Sequence, residues 1–174
     1  MVLFEDETNL VLFPSLQSCW ALRGESAQVV LGGSNARRVV FGALNIMTGH
    51  RLLLSTERQR AAEFAEFLEL VRRHYRGWHV ALVLDGDSSH TARVSQACAA
   101  GLDIEMQWLP VRAPELNPLE NLWRDAKRRL CTNHQYATIE EQTRLFMADL
   151  NGLSSRQALI KSGVLSENFW LFQK

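Results

Sequence analysis

Apolar residues recur with two different periods along the chain, and the alternation of these periods predicts a sheet combined with helices. Five segments have the short or alternating apolar pattern of β-strands: residues 2–6, 38–45, 51–55, 80–84 and 104–108. The run at 80–84 is apolar at every position, which is typical of a central strand covered on both faces. Thr48 and Gly49 are suited to the turn of a hairpin between the second and third strands.

Helical spacing of apolar residues predicts the other elements. Five segments are expected to be helices: residues 61–75, 91–100, 118–130, 139–150 and 154–162. Gly101 is a candidate C-cap, and Thr138 with Glu141 has the pattern of a capping box. Residues 9–35 are broken by proline and glycine and are left unassigned. Three strands followed by alternating helices and strands predict a mixed α/β sheet flanked by helices, in a single domain over residues 1–174.

Composition narrows the class of protein. No apolar run reaches the roughly 18 residues of a membrane span, so no membrane partner is expected. Residues 1–20 lack the basic start of a secretory signal. The three cysteines have no Cys-x-x-Cys spacing, which argues against a disulfide framework and a structural zinc site. These features favour a cytoplasmic location, associated with the nucleoid if the protein acts on DNA.

The charge balance argues against a stand-alone DNA-binding module. The formal net charge is zero, whereas such modules are usually basic because they neutralise phosphates. Basic residues are nevertheless clustered, for example at 72–76 and 127–129. Each cluster is either a local stripe for a phosphate backbone or an ordinary solvated helix face.

Three acidic residues are the main candidates for chemistry. Asp6 and Asp85 each end an apolar run, and Glu120 lies in the first turn of the helix that begins at Pro118. Carboxylates from two strand ends and one helix start are suited to binding divalent metal ions that act on phosphodiester bonds. Alternation along the first strand directs Glu5 and Glu7 to the face opposite Asp6.

Each of these acids also has a purely structural interpretation. Asp85 is suited to capping the helix that follows it, and Asp6 to a solvated strand end. Asn117 is suited to the N-cap position of the next helix, and Glu120 to bonding back to the Asn117 backbone. For Glu120 the spacing leaves the two interpretations open.

Four further residues are candidates for contacts with DNA: His90, Asn117, Arg124 and Lys127. His90 follows Asp85 at a helix entrance, where it is suited either to a phosphate contact or to a structural role. Arg124 and Lys127 lie one and two turns beyond Glu120 on the same helix face. Trp123, Phe64 and Trp108 are expected in the core rather than as platforms for base stacking.

Four segments together resemble the catalytic domain of mariner-type DDE transposases, in the branch of bacterial insertion sequences. They are residues 4–7 (FEDE), 40–44 (VFGAL), 82–85 (LVLD) with His90, and 116–123 (LNPLENLW). The resemblance implies a ribonuclease-H-like fold and a metal-dependent polynucleotidyl transferase. It further implies that Asp6, Asp85 and Glu120 hold two Mg²⁺ or Mn²⁺ ions. DNA strands would be cleaved at the ends of the element, and the freed 3′-OH would attack target DNA.

The sequence departs from this family in two respects. Gly86 stands where the family usually has Asn directly after the second aspartate. The first aspartate falls at position 6, which leaves no room for the family's N-terminal helix-turn-helix DNA-binding region. The resemblance therefore implies DNA as a partner, an upstream DNA-binding half and a homodimer on DNA. The alternative functions are an inactive truncated or decayed transposase fragment, and a ribonuclease or resolvase on the same fold.

Overall fold

A five-stranded sheet forms the centre of the molecule in the computed structural model, which describes residues 1–172. The strands are β1 (Val2–Val11), β2 (Arg37–Asn45), β3 (Arg51–Thr56), β4 (Val80–Leu84) and β5 (Ile104–Trp108). The helices are α1 (Ala61–His74), α2 (Ser88–Thr91), α3 (Arg93–Gly101), α4 (Pro118–Leu130), α5 (Ile139–Gly152) and α6 (Ser155–Lys161). Within residues 1–172 none of the helices is long and apolar enough to cross a membrane.

The order of the strands across the sheet is β3-β2-β1-β4-β5. The first three strands form an antiparallel meander, while β4 pairs parallel to β1 and β5 pairs parallel to β4. Gly49 adopts φ 75° in the turn between β2 and β3, as expected for a hairpin glycine. The predicted mixed α/β sheet and hairpin are confirmed.

Helices cover both faces of the sheet and enclose two apolar clusters. On one face, α4, α5 and α6 pack against side chains that include Phe4, Val40 and Leu44. On the other face, α1 and α3 pack against Leu3 and Phe41, among others. The predicted stripe of α1 is buried as expected, comprising Phe64, Phe67, Leu68, Val71 and Tyr75. Burial on both faces explains why β4 is apolar throughout.

Four local predictions differ from the structure. β1 runs to Val11 rather than ending near residue 6, because β2 pairs with it as far as Arg37. The helix predicted at 91–100 is divided into α2 and α3 by Ala92, whose backbone is extended (φ −58°, ψ 141°). Gly101 is the last residue of α3 rather than its cap. Trp108 is 45% exposed instead of buried, since it ends the edge strand β5.

Candidate active site

The pairing of β1 with β4 brings the first two candidate aspartates to the same level of the sheet. Phe4 pairs with Val83 in parallel register, and each aspartate follows two residues later on its own chain. Asp6 and Asp85 therefore lie next to each other and, by alternation, on the same face of the sheet. Asp6 lies within β1 rather than at its end, and the pairing of β1 with β4 ends two residues before it, at Phe4.

Helix α4 brings Glu120 to these aspartates because its start is fixed to β1. The Asn117 side chain accepts from Leu119 N at 3.1 Å as the N-cap. Its Nδ2 also donates to the carbonyl oxygen of Glu5 at 2.7 Å. The Asn117 N–H donates to the Pro114 carbonyl at 3.0 Å. It is therefore not donated to the Glu120 carboxylate, as the capping interpretation would require. Glu120 is exposed in the first turn, and the capping interpretation of its carboxylate is not what the structure shows.

The three acids line one pocket of about 280 Å³ at this edge of the sheet. Residues 109–114 of the loop between β5 and α4, together with Asn117, form its opposite wall. Arg112 is an exposed cation of that wall and adopts φ 60°, a left-handed conformation that costs energy in any residue but glycine. Arg112 was missed by the sequence analysis, since a single arginine in a proline-containing loop has no distinguishing pattern.

One oxygen of each aspartate is held by a hydrogen-bond donor. Trp123 Nε1 donates to Asp6 Oδ2 at 2.9 Å. The backbone N–H of Asp87 donates to Asp85 Oδ1 at 3.0 Å, and His90 Nδ1 lies 3.0 Å from the same oxygen. The carboxylates are thereby oriented while a second oxygen of each remains available to a ligand.

Glycine at position 42 allows Trp123 to reach Asp6. Trp123 is buried, as predicted, and its indole lies across β2 at the position of Gly42. A Cβ atom on Gly42 would lie 2.5 Å from Trp123 Cη2, closer than real Cβ contacts. The hydrogen bond to Asp6 could not be foreseen from the helical period, which shows burial but not the partner of the indole N–H.

The electrostatics of the pocket favour a cation. Burial, together with the negative charges of Glu120, Glu7 and Asp85, raises the pKa of Asp6 from 3.8 to about 8. The hydrogen bond from Trp123 opposes this rise. A bound divalent cation would reverse the repulsion between these carboxylates. Asp6, Asp85 and Glu120 are therefore the residues suited to holding a metal here.

His90 does not lie on the pocket surface. It is 1% exposed, and its Nε2 faces the carboxylates of Glu5 and Glu7 on the opposite side of β1 from Asp6. Burial would lower the pKa of His90, but the neighbouring negative charges of Glu5 and Glu7 raise it to about 10. A contact with DNA requires an accessible ring, and the His90 ring is buried. The side chain is instead placed to orient Asp85 through its Nδ1. Asn117, also buried, ties α4 to β1 in the same indirect way.

The other two candidates for contacts with DNA lie beside the pocket on α4. Arg124 and Lys127 line a surface hollow of about 590 Å³ that shares Glu120 with the acidic pocket. Burial lowers the pKa of Lys127, while the charges of Cys131, Glu120 and Asp6 oppose that change. Lys161 lines the same hollow and donates to Asp125 at 2.7 Å.

Comparisons with known proteins identify the family to which the chain belongs. The chain matches the family described as DDE superfamily endonuclease over residues 1–143. A relative from Shigella sonnei, the insertion element IS630 uncharacterized 39 kDa protein, is 28% identical over 140 residues. That alignment covers 79% of this chain and 41% of the relative, so the chain spans less than half of that protein's length.

Among solved structures, the fold is similar to that of Mos1 transposase. The mariner Mos1 paired-end complex with Mg matches with a TM-score of 0.73 and 16% identity, over 97% of this chain and 53% of that one. The catalytic domain of Mos1 mariner transposase matches with a TM-score of 0.66 and 15% identity, over 92% and 74% of the two chains. The predicted ribonuclease-H-like fold is confirmed by this likeness. The match over residues 1–143 shows that the chain belongs to the DDE superfamily endonucleases.

Proposed function

We propose that this chain is the catalytic part of an insertion-sequence transposase, which cleaves DNA strands at the ends of the element and joins them to target DNA. The observation that carries the proposal is the convergence of Asp6, Asp85 and Glu120, from β1, β4 and α4, on one pocket. The structural neighbours support it, since Mos1 transposase forms a paired-end complex with a transposon end and a strand transfer complex.

The three acids fit a pair of Mg²⁺ or Mn²⁺ ions. Hard divalent cations prefer carboxylate oxygens, and burial together with repulsion from neighbouring carboxylates raises the pKa of Asp6 to about 8. Mos1 complexes have been solved with Mg and with Mn. When bound, such ions activate water and stabilise charge on the leaving oxygen of a phosphodiester.

The protein's own part in the reaction is to orient these carboxylates. Trp123 fixes one oxygen of Asp6, and the Asp87 N–H with His90 fixes one oxygen of Asp85. Glu120, which is exposed in the first turn of α4, completes the set from the other side of the pocket. Arg112 at the rim is placed to contact a phosphate as the strand enters.

DNA is the proposed partner, held along α4 and directed to the pocket. Arg124 and Lys127 would contact its backbone, next to Glu120. Zero net charge means that these contacts alone give weak binding, so we propose that an upstream DNA-binding half recognises the ends of the element. Action on two ends at once is suited to a homodimer on DNA.

The test is strand cleavage by the purified chain with Mn²⁺, on pre-nicked or branched DNA ends at low salt, where weak phosphate contacts suffice. Glu120→Gln keeps the shape of the side chain and is expected to abolish cleavage. Glu115→Gln, in the exposed turn before α4, is the matched control and should cleave like the unsubstituted protein. The same pair of variants should then be fused to an upstream DNA-binding half.

Cleavage that Glu120→Gln removes and Glu115→Gln retains would support the proposal. A folded protein that cleaves no end with Mn²⁺ or Mg²⁺, even in the fusion, would overturn it. That result would favour the alternative function, an inactive transposase fragment. The presence of all three acids argues against this alternative.

A further inference from the structure

We propose that Glu5, Glu7 and His90 form a second cation site, on the face of β1 opposite the catalytic pocket, that takes a transition-metal ion such as Zn²⁺, Co²⁺ or Mn²⁺. This goes beyond the proposed function, which places its metal ions on Asp6, Asp85 and Glu120. Alternation along β1 separates the two sets of carboxylates, so that one strand contributes ligands to both faces.

The distances within the cluster are those of ligands around a single ion. His90 Nε2 lies 3.4 Å from Glu5 Oε2 and 3.2 Å from Glu7 Oε2. Zinc bonds to nitrogen and oxygen of about 2.0–2.2 Å in a tetrahedron place neighbouring ligand atoms about 3.3–3.6 Å apart. One ligand atom from each of the three residues lies within 4.8 Å of the others.

The polar atoms of the cluster are buried without hydrogen-bond partners in the described residues 1–172. They are both carboxylate oxygens of Glu5, Glu7 Oε2 and His90 Nε2. Glu5 has no exposed surface and His90 is 1% exposed, so bulk solvent does not reach these atoms. Glu7 Oε1, by contrast, accepts a hydrogen bond from Gln59, which directs Oε2 toward the histidine. Burying two carboxylates with a single histidine as their charge partner is costly, and a cation among these atoms would satisfy all of them.

The orientation of His90 leaves Nε2 for this role. Its Nδ1 lies 3.2 Å from the carbonyl oxygen of Asp85 and 3.0 Å from Asp85 Oδ1, both of which are acceptors. Nδ1 therefore carries the proton, as in metal-bound histidines whose second nitrogen donates to a carboxylate or a carbonyl. The ring of Phe64 packs against the imidazole with centroids 4.5 Å apart and restricts its rotation.

The competing occupant of the space beside Nε2 is a second proton. An N–H bond points in one direction, whereas Nε2 lies 3.4 Å from a Glu5 oxygen and 3.2 Å from a Glu7 oxygen, so one proton serves at most one of the two carboxylates well. A metal ion bonds all three groups at once. Because one ligand is an imidazole, the chemistry favours Zn²⁺, Co²⁺ or Mn²⁺ over Mg²⁺ and Ca²⁺.

The test removes the catalytic site first. A chain carrying Asp6→Asn and Glu120→Gln is stripped with EDTA and titrated with Co²⁺, while visible absorption, retained metal and thermal unfolding are followed. We expect one Co²⁺ per chain with the absorption of a nitrogen- and oxygen-coordinated ion, displaced by Zn²⁺, and a rise in Tm on loading. The same background with Glu5→Gln or Glu7→Gln should lose the bound ion, and with Glu66→Gln, exposed on α1, should keep it.

Two results would overturn the proposal. One is a titration of the Asp6→Asn, Glu120→Gln chain that shows no retained ion and no Co²⁺ absorption. That result would mean that a proton on His90 Nε2, and not a metal ion, lies between the two glutamates. The other is unchanged binding in Glu5→Gln and Glu7→Gln, with folding checked by circular dichroism. The parent titration decides the matter even where a substitution unfolds the chain. Because the catalytic acids are already replaced, a failure here is independent of the proposed function.

Discussion

Trp123 donates its indole N–H to Asp6 at 2.9 Å and thereby connects the core of the α4 face to the first of the three candidate acids. The indole is 2% exposed and stacks on Phe146, with ring centroids 6.0 Å apart. A side chain so confined gives its hydrogen bond a fixed direction. We infer that the position of Asp6 depends on packing beneath the sheet as much as on β1 itself.

Replacing Trp123 with Phe should therefore lower activity while leaving most of the packing in place. A hydrogen bond to a charged group contributes about 1.5–3 kcal/mol, or roughly 10- to 100-fold in the rate of cleavage. Because that bond lowers the pKa of Asp6, its loss should also raise the Mn²⁺ concentration needed for half-maximal cleavage. Rates measured against Mn²⁺ concentration check this. Trp20→Phe, at a fully exposed indole, is the control, and equal rates in both variants would contradict the prediction.

Gly42→Ala should disturb the same contact from the other side. The added Cβ would lie 2.5 and 2.7 Å from two atoms of the Trp123 ring, so the buried indole must move. Overpacking of this kind costs about 1–3 kcal/mol in the free energy of unfolding. Urea unfolding measures it, with Gly101→Ala as the matched control because a Cβ there meets no atom within 4 Å. A Gly42→Ala chain as stable as that control would show that the indole has room to shift.

The metal-free protein should lose stability as the pH rises, in part through Asp6. Its pKa is raised from 3.8 to about 8, so the folded state binds this proton more tightly than the unfolded state does. The stabilisation is complete below pH 3.8 and is lost as the pH rises through 8. Asp6→Asn removes that loss, and in EDTA it should be more stable than the parent above pH 8, by on the order of a few kcal/mol.

Urea unfolding in EDTA at pH values near 4 and above 8 measures the difference between the Asp6→Asn variant and the parent. The difference should disappear at the acidic pH, and Mg²⁺ should reduce it at the alkaline pH by stabilising the parent. Asp103→Asn, at an exposed turn, should follow the parent throughout. A difference that is independent of pH would show that Asp6 titrates normally in the folded state.

Gly86→Asn should be accommodated and should increase activity. A Cβ at Gly86 meets no atom within 4 Å, and its φ does not lie in the left-handed region. The amide common in the resembled family would then lie beside Asp85, where one added hydrogen bond contributes about 1 kcal/mol, or roughly fivefold in rate. Gly86→Ala restricts the backbone without adding the amide and is the control. Slower cleavage by the Asn variant than by the Ala variant would show that the amide does not help this site.

Arg124→Gln and Lys127→Gln should each weaken DNA binding in proportion to the phosphate contacts they remove. The logarithm of the binding constant should depend less steeply on the logarithm of salt concentration, by about one unit of slope for each residue. Fluorescence anisotropy over a range of salt measures the slope. Arg76→Gln, exposed after α1 on the other face of the sheet, should leave it unchanged. Identical slopes in all three variants would show that DNA does not contact α4 through Arg124 and Lys127.

Much of the fold could be predicted because its elements have clear local periods. The apolar stripe of α1, the hairpin around Gly49 and the caps at Asn117 and Thr138 were all visible along the chain. Each of these patterns reflects contacts within a helix turn or between neighbouring strands. Local rules therefore determine them.

The features that could not be predicted depend on neighbours distant in sequence. Residues 7–11 of β1 form a strand because β2 pairs with them. The alternation of apolar and polar residues within this segment does not indicate a strand. His90 is buried because Glu5 and Glu7 face it from β1, more than eighty residues earlier in the chain. Sequence reasoning placed Glu5 and Glu7 correctly on the face opposite Asp6, but it had no means of identifying what they would meet there.

The parallel register of β1 and β4 has a consequence for how this protein tolerates change. The relative position of Asp6 and Asp85 is set by backbone pairing at Phe4 and Val83, which does not depend on which apolar side chains these strands carry. Exchanges among Val, Leu and Ile in either strand should therefore leave the two aspartates side by side. Inserting one residue between Phe4 and Asp6 would move the Asp6 side chain to the opposite face of the sheet, in the core beneath α1. A neighbouring glutamate would then point to the pocket. The site should thus tolerate apolar substitutions in β1 and β4 but not insertions or deletions between the paired residues and the aspartates.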